Sequence, residues 1–234
     1  MTLPLRAVIF DLDDTLFDDT GCTHVGLRAL AAQSGLSVPP AELFARHAAH
    51  IRAIDPLLFR GELTAHEARV LRFTRLLTEL GVPDPDGEAA TVTYRGAYRA
   101  AWAPLPGAAD VLRDLRAAGL RLAVLTNYVR EVQALKLTHF GLDALVDAVL
   151  CVEEVPAAKP DPRAYYAACA ALDVHPEQAV MVGDSCEKDV QGARRAGLRA
   201  VWVNRAGQAA PEPGVPVIAH LMELPGVLGL VPQR

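Results

Sequence analysis

Residues Ile9-Phe10-Asp11-Leu12-Asp13-Asp14-Thr15-Leu16 carry an apolar run straight into three carboxylates. Asp11 and Asp13 are two apart, so in extended backbone they project to the same side. Like charges that close raise each other's pKa unless a cation or a proton sits between them. A pair delivered from the end of a buried strand suits metal binding, or acid/base and nucleophilic chemistry. Asp14 points opposite Asp13 and reads as solvated or structural, while Asp18 and Asp19 read as caps of a following helix.

Three further places carry matching chemistry. Thr126 and Asn127 end an apolar run, Lys159 stands before Pro160, and Gly183-Asp184-Ser185 is followed by Asp189. Together these positions supply carboxylates, a hydroxyl and an ammonium. That is an inventory for chemistry on a phosphoryl group: a metal cage, a nucleophile, a hydrogen-bond donor and a fixed positive charge. The chain has only three lysines, Lys136, Lys159 and Lys188, so each invites a reason. Lys136 and Lys188 read as exposed helix positions, Ser185 as a helix cap, and Cys186 as a small apolar filler.

These residues need elements to hold them. Strand-like runs recur at Ala7–Phe10, Leu122–Thr126, Asp147–Val152, Ala179–Val182 and Ala200–Val203. Helical periodicity fills the later gaps: Pro106-Gly107 through Leu115, Tyr128–Phe140, Asp161-Pro162 through Ala171, and Glu187–Ala196. Alternating strand and helix with short loops predicts a parallel sheet covered on both faces, a doubly wound α/β fold. Ligands of such sheets bind at the carboxyl ends of the strands, where all four groups of residues above fall. Between the first two strands lie roughly 85 residues, far too many for a βαβ crossover. They show helical stretches at 22–34, 40–58, 64–80 and 86–101, which predicts an inserted helical bundle. The Pro/Ala/Gly-rich stretch 206–216 reads as a loop.

Composition narrows the class. The chain is 51% hydrophobic and 22% charged, enough to bury a sizeable core rather than stay disordered. A net charge of −5 gives no basic surplus for binding a nucleic acid polymer. Cys22, Cys151, Cys169 and Cys186 are scattered, with neither zinc nor disulfide spacing, which fits a reduced cytoplasm. The first strand begins too early to leave room for a signal peptide, and no apolar run nears the roughly 20 residues that span a bilayer. A cytoplasmic monomer or homodimer is expected.

The strand-end residues resemble the four motifs of the haloacid dehalogenase superfamily, in order and over nearly the whole chain. D-x-D-x-[TV] matches Asp11 to Thr15, an apolar strand ending in [ST]-N matches Leu125-Thr126-Asn127, the motif lysine matches Lys159 in Ala158-Lys159-Pro160, and G-D-S-x-x-x-D matches Gly183 to Asp189. The resemblance implies a core domain of residues 1–16 and 103–234 with a helical cap domain at 17–102. It implies Asp11 as nucleophile, Asp13 as general acid and base, Thr126 and Asn127 as phosphoryl-binding residues, and Lys159 as the fixed positive charge. It further implies Mg²⁺ on the Asp11 carboxylate, the Asp13 backbone carbonyl and Asp184, with Asp189 acting through water or on Lys159.

The family also holds dehalogenases, phosphomutases and idle binding modules. Dehalogenases lack an acid two residues after the nucleophile, and phosphomutases commonly read D-x-D-G-V where this chain has Asp14-Thr15. Asp13 thus favours a phosphomonoesterase for a small phosphorylated metabolite. The first motif and the stretch Phe59-Arg60-Gly61-Glu62-Leu63-Thr64 look similar to pyrimidine 5′-nucleotidases and N-acylneuraminate 9-phosphatases. A nucleoside 5′-monophosphate is therefore a candidate substrate, and Arg60, Arg46, Arg52 and Arg72 are candidates for touching it. Of His24, His47, His50 and His66 in the insertion, surface positions are expected, one of them a candidate for facing substrate.

Overall fold

In a computed structural model of the 234-residue chain, residues 3–209 and 213–230 are described. The chain forms two compact units, one from Met1–Asp18 with Pro104–Arg234 and the other from Asp19–Ala103.

The first unit is built on a six-stranded parallel sheet in the order β3-β2-β1-β4-β5-β6. Its strands are β1 (Ala7–Phe10), β2 (Arg121–Leu125), β3 (Ala148–Leu150), β4 (Ala179–Gly183), β5 (Arg199–Val203) and β6 (Val217–Ile218). β1, β2 and β4 are almost wholly buried, as strands covered on both faces must be. On one face Ala7, Ile9 and Met181 pack with Ala164, Tyr165 and Ala168 of a helix over Pro162–Ala171. That helix opens as its sequence requires: the Asp161 side chain accepts from the Arg163 N–H, and Pro162 occupies the first turn. This is the doubly wound α/β architecture expected. In β1 the register sets Phe10 opposite both Val124 and Val182, so the ends of the three central strands are level. β1 pairs with β2 on one side and β4 on the other, and this reversal of strand order is where such sheets bind ligands.

The second unit consists of helices α1 (Asp19–Gln33), α2 (Pro40–Phe59), α3 (Ala65–Glu79) and α4 (Gly87–Ala100). Their core gathers Leu27, Leu30, Leu43, Phe73, Leu76 and Tyr94. α3 starts in a reciprocal capping box between Thr64 and Glu67, and α4 starts at Asp86, whose side chain accepts from the Ala89 N–H. Gly26 lets α1 approach α4, since a Cβ there would lie 2.7 Å from the Tyr94 ring.

Sequence and structure differ locally. α1 starts at Asp19, ahead of the expected 22, and β3 is only Ala148–Leu150. β6 was not expected: two residues show no periodicity. The helix expected over Glu187–Ala196 is instead a π-helical stretch, Cys186–Gln191, followed by a short α-helix, Gly192–Arg195. The Ser185 carbonyl accepts from both Asp189 and Val190 N–H, which widens the turn and directs Asp189 back toward the sheet. Of the loop expected at 206–216, residues 210–212 lie outside the described residues.

Candidate active site

Asp11 is the first residue past β1, and its N–H still donates to the Val182 carbonyl at 2.9 Å. The strand register therefore carries its side chain to the sheet edge in a fixed direction. Lys159 Nζ donates to Asp11 Oδ1 and to Asp189 Oδ1, each at 2.7 Å. Both the Lys159 and Asp189 side chains are only 1% exposed, against 13% for Asp11, so solvent hardly screens the triad. The second Asp189 oxygen accepts from the Ser185 N–H at 3.0 Å. Residue 183 must be glycine for this to fit: a Cβ there would lie 2.3 Å from the Asp189 carboxyl. The Lys159 backbone is held in turn by Asn127, whose side chain donates to its carbonyl and accepts from its N–H. The Asn127 side chain is thus engaged with Lys159.

Asp184 follows β4. Its N–H donates to Thr15 Oγ1 at 3.1 Å, and its carbonyl accepts from Trp202 Nε1 at 2.8 Å. One carboxylate oxygen from each of Asp11, Asp184 and Asp189 falls within a 4.8 Å cluster, the grouping found among the described residues. Burial pushes the Asp184 carboxyl up to about 8, with Asp11, Asp189 and Asp14 adding to the rise. Burial likewise raises Asp11 to about 6, opposed by Lys159. Burial works against the Lys159 ammonium, yet Asp11 and Asp189 outweigh it and its pKa is raised. Three carboxylates share one ammonium here, a deficit of positive charge that an oxygen-binding dication such as Mg²⁺ fits. Both Asp189 oxygens already accept hydrogen bonds, from Lys159 Nζ and the Ser185 N–H, so Asp11 and Asp184 would be the carboxylates more open to such an ion.

Asp13 sits in the tight turn after Asp11, where Asp14 takes a positive φ of 59° and donates its N–H to the Phe17 carbonyl. Lys136 Nζ donates to Asp13 Oδ1 at 2.6 Å and Gln133 Nε2 to Asp13 Oδ2 at 2.8 Å. Both donors come from one face of α6 (Arg130–His139), the helix that follows α5 (Ala108–Ala117) and β2, being three residues apart. Gln133 also donates to Thr126 Oγ1 at 2.9 Å. Lys136 corrects the sequence expectation: it is buried, 3% exposed, with its ammonium 4.5 Å from the Phe17 ring centre. Helical spacing marks Gln133 and Lys136 as neighbours, but only the fold brings them to a residue more than a hundred positions earlier. Lys188 is exposed as expected. Ser185 caps the π-helical stretch, accepting from the Lys188 N–H, and Cys186 packs against Val190 and Trp202.

The α/β unit thus brings together Asp11, Asp13, Thr126, Asn127, Lys159, Asp184 and Asp189. Arg60 belongs to the helical unit, where it is exposed and pairs with Glu62 at 2.5 Å. Arg46 pairs with Glu42 and Glu79, and Arg72 lies 5.0 Å over the Phe73 ring. His50 and His66 pair with Glu79 and Glu88, and His24 stacks on Phe44. His47 departs from the surface position expected. It is buried against Phe73 and Tyr94, because it falls on the inward face of α2 with Leu43 and Ile54.

Residues 5–197 match the family described as haloacid dehalogenase-like hydrolase. The phosphoserine phosphatase of Thermus thermophilus is 36% identical, over 86% of this chain and 89% of that protein. Human N-acylneuraminate-9-phosphatase is 30% identical, over 96% of this chain and 94% of its own. Among solved structures, the HAD-hydrolase YfnB from Bacillus subtilis, bound to magnesium, shares the fold at a TM-score of 0.76. It is 24% identical and covers 97% of this chain and 100% of that one. With the four strand-end motifs assembled in one place and relatives that are themselves phosphatases, the chain belongs to the haloacid dehalogenase-like hydrolases, as a phosphatase of that family.

Proposed function

We propose that the protein is a Mg²⁺-dependent phosphomonoesterase that works through a phosphoaspartate on Asp11. The observation that carries this reading is the Lys159 ammonium, shared at 2.7 Å between Asp11 and Asp189 in a cluster that still has excess negative charge. Mg²⁺ on Asp11, Asp184 and the Asp13 carbonyl, with Asp189 acting through water, would neutralise charge on the phosphoryl oxygens. An Asp11 oxygen attacks phosphorus in line, and the bond from phosphorus to the ester oxygen breaks. In the substrate complex Asp13 carries a proton, which it gives to the departing alcohol oxygen; as the carboxylate it then takes one from the water that cleaves the Asp11–phosphorus bond and frees inorganic phosphate. Thr126 donates its hydroxyl hydrogen to a phosphoryl oxygen, and Lys159 fixes the Asp11 carboxylate and offsets charge in the transition state.

The substrate class is a small phosphorylated metabolite, in keeping with relatives named for phosphoserine and for N-acylneuraminate 9-phosphate. A nucleoside 5′-monophosphate is the specific candidate suggested by the first motif. Phosphate release from nucleoside monophosphates, sugar phosphates, phosphoserine and phosphoglycolate, with and without Mg²⁺, tests both levels. The reading requires Mg²⁺-dependent release that Asp11→Asn abolishes. Full activity in that variant, or chloride release from 2-chloropropionate without Mg²⁺, would overturn it.

A further inference from the structure

We propose that Lys136 and Gln133 are positioning residues that fix Asp13 and Thr126 for catalysis. The inference rests on the reading of Asp13 as general acid and base.

Each oxygen of the Asp13 carboxylate has its own donor on α6, Lys136 Nζ at 2.6 Å and Gln133 Nε2 at 2.8 Å. Two donors at different oxygens remove rotation about the last side-chain bond, where a single donor would not. Lys136 is 3% exposed and Gln133 fully buried, so both donors are shielded from water, while the Asp13 side chain they hold is 31% exposed and open to substrate. A buried lysine is costly unless it is paired, and here it is paired with an acid at the site rather than with a surface carboxylate.

Gln133 does a second thing. Its amide nitrogen has two hydrogens, one given to Asp13 and the other to Thr126 Oγ1. The reverse orientation would set the amide oxygen against the Asp13 carboxylate, so the anion dictates which way the amide points. Its Oε1 accordingly has no partner among the described residues. Because Thr126 Oγ1 accepts from Gln133, its own hydrogen is directed elsewhere and is available to a phosphoryl oxygen. One glutamine thus links the proton-transfer residue to the phosphoryl donor.

The test is the dependence of kcat/KM on the leaving group across aryl phosphates. Dinitrophenolate departs without a proton, whereas phenolate needs one. Lys136→Met is expected to lower kcat/KM for phenyl phosphate about 10- to 100-fold and for dinitrophenyl phosphate less than about threefold. Lys136→Arg is expected to recover most of the loss. Gln133→Met carries the same test should Lys136→Met fail to fold. Asp13→Ala is measured beside them. If Asp13→Ala steepens the dependence while both α6 variants lower all substrates equally, or none, the positioning inference is overturned and the role of Asp13 stands. If Asp13→Ala itself leaves the dependence unchanged, the role of Asp13 fails and the inference with it.

Discussion

Asn127 grips both backbone polar groups of Lys159. Its Nδ2 donates to the lysine carbonyl at 2.7 Å, and its Oδ1 accepts from the lysine N–H at 2.8 Å. The loop after β2 thereby sets the position from which the Lys159 side chain reaches Asp11 and Asp189. Asn127→Ala removes both bonds and leaves two partly buried backbone groups unsatisfied, a loss of about 1–3 kcal/mol for each if water does not reach it. We expect a lower melting temperature and a kcat on p-nitrophenyl phosphate reduced about tenfold or more, since a small displacement of a catalytic group is costly. Unchanged kcat in a folded variant would show that the grip does not govern Lys159.

Gly183 and Asp189 offer a second route to the same lysine. A methyl at 183 would stand 2.3 Å from the Asp189 carboxyl, deep in the core where neither group has room to give. Gly183→Ala is expected to push Asp189 off Lys159 and lower kcat about 10- to 100-fold, close to the effect of Asp189→Asn. Because both act on one contact, the double variant should lose little more than either single one. Additive losses in that cycle would separate the two residues.

The strands and the acids were legible because each is a local pattern. A buried run ending in Asp11-Leu12-Asp13 needs only its own neighbours to be recognised, and all four motifs do fall at one sheet edge. Lys136 shows where local pattern fails. Its spacing on α6 allows either a solvated or a buried face, and what decides is Asp13, 123 residues away in sequence. Asp189 illustrates a second limit. Helical periodicity over Glu187–Ala196 does not distinguish a π turn from an α turn, and it is the wider turn that aims Asp189 at Lys159. His47 fails for the opposite reason: composition says surface, whereas its place between Leu43 and Ile54 on α2 says core.

His47 gives the helical unit a pH dependence. Burial holds its pKa well below the ordinary histidine value, with Arg72 and His50 nearby adding to the effect, and its Nε2 has no partner among the described residues. The unfolded chain therefore binds a proton near pH 6.5 that the folded chain refuses. Stability then falls as pH drops below that value, since the unfolded state binds more protons. His47→Leu should remove this component. Urea midpoints of variant and parent are expected to diverge in the variant's favour between about pH 6.5 and pH 5. Parallel curves through that window would refute it.

The acidic cluster predicts the opposite slope. Asp11 and Asp184 have folded-state pKa values raised from 3.8 to about 6 and about 8, chiefly by burial. Between pH 4 and pH 8 the metal-free folded state therefore holds more protons than the unfolded one, so its stability falls as pH rises through those values. A cation on the same carboxylates replaces the protons and relieves the repulsion, so its stabilising effect should grow in the same direction. Melting temperatures measured with EDTA are expected to be lower at pH 8.5 than at pH 5.5. Addition of Mg²⁺ should raise the value at pH 8.5 by several degrees and hardly change that at pH 5.5, where protons compete for the ligands. An equal Mg²⁺ shift at both pH values would mean that the cation does not bind the raised carboxylates. Asp184→Asn supplies the control: with one titrating ligand gone, the metal-free protein should lose less stability at high pH, and the Mg²⁺ effect should shrink with it.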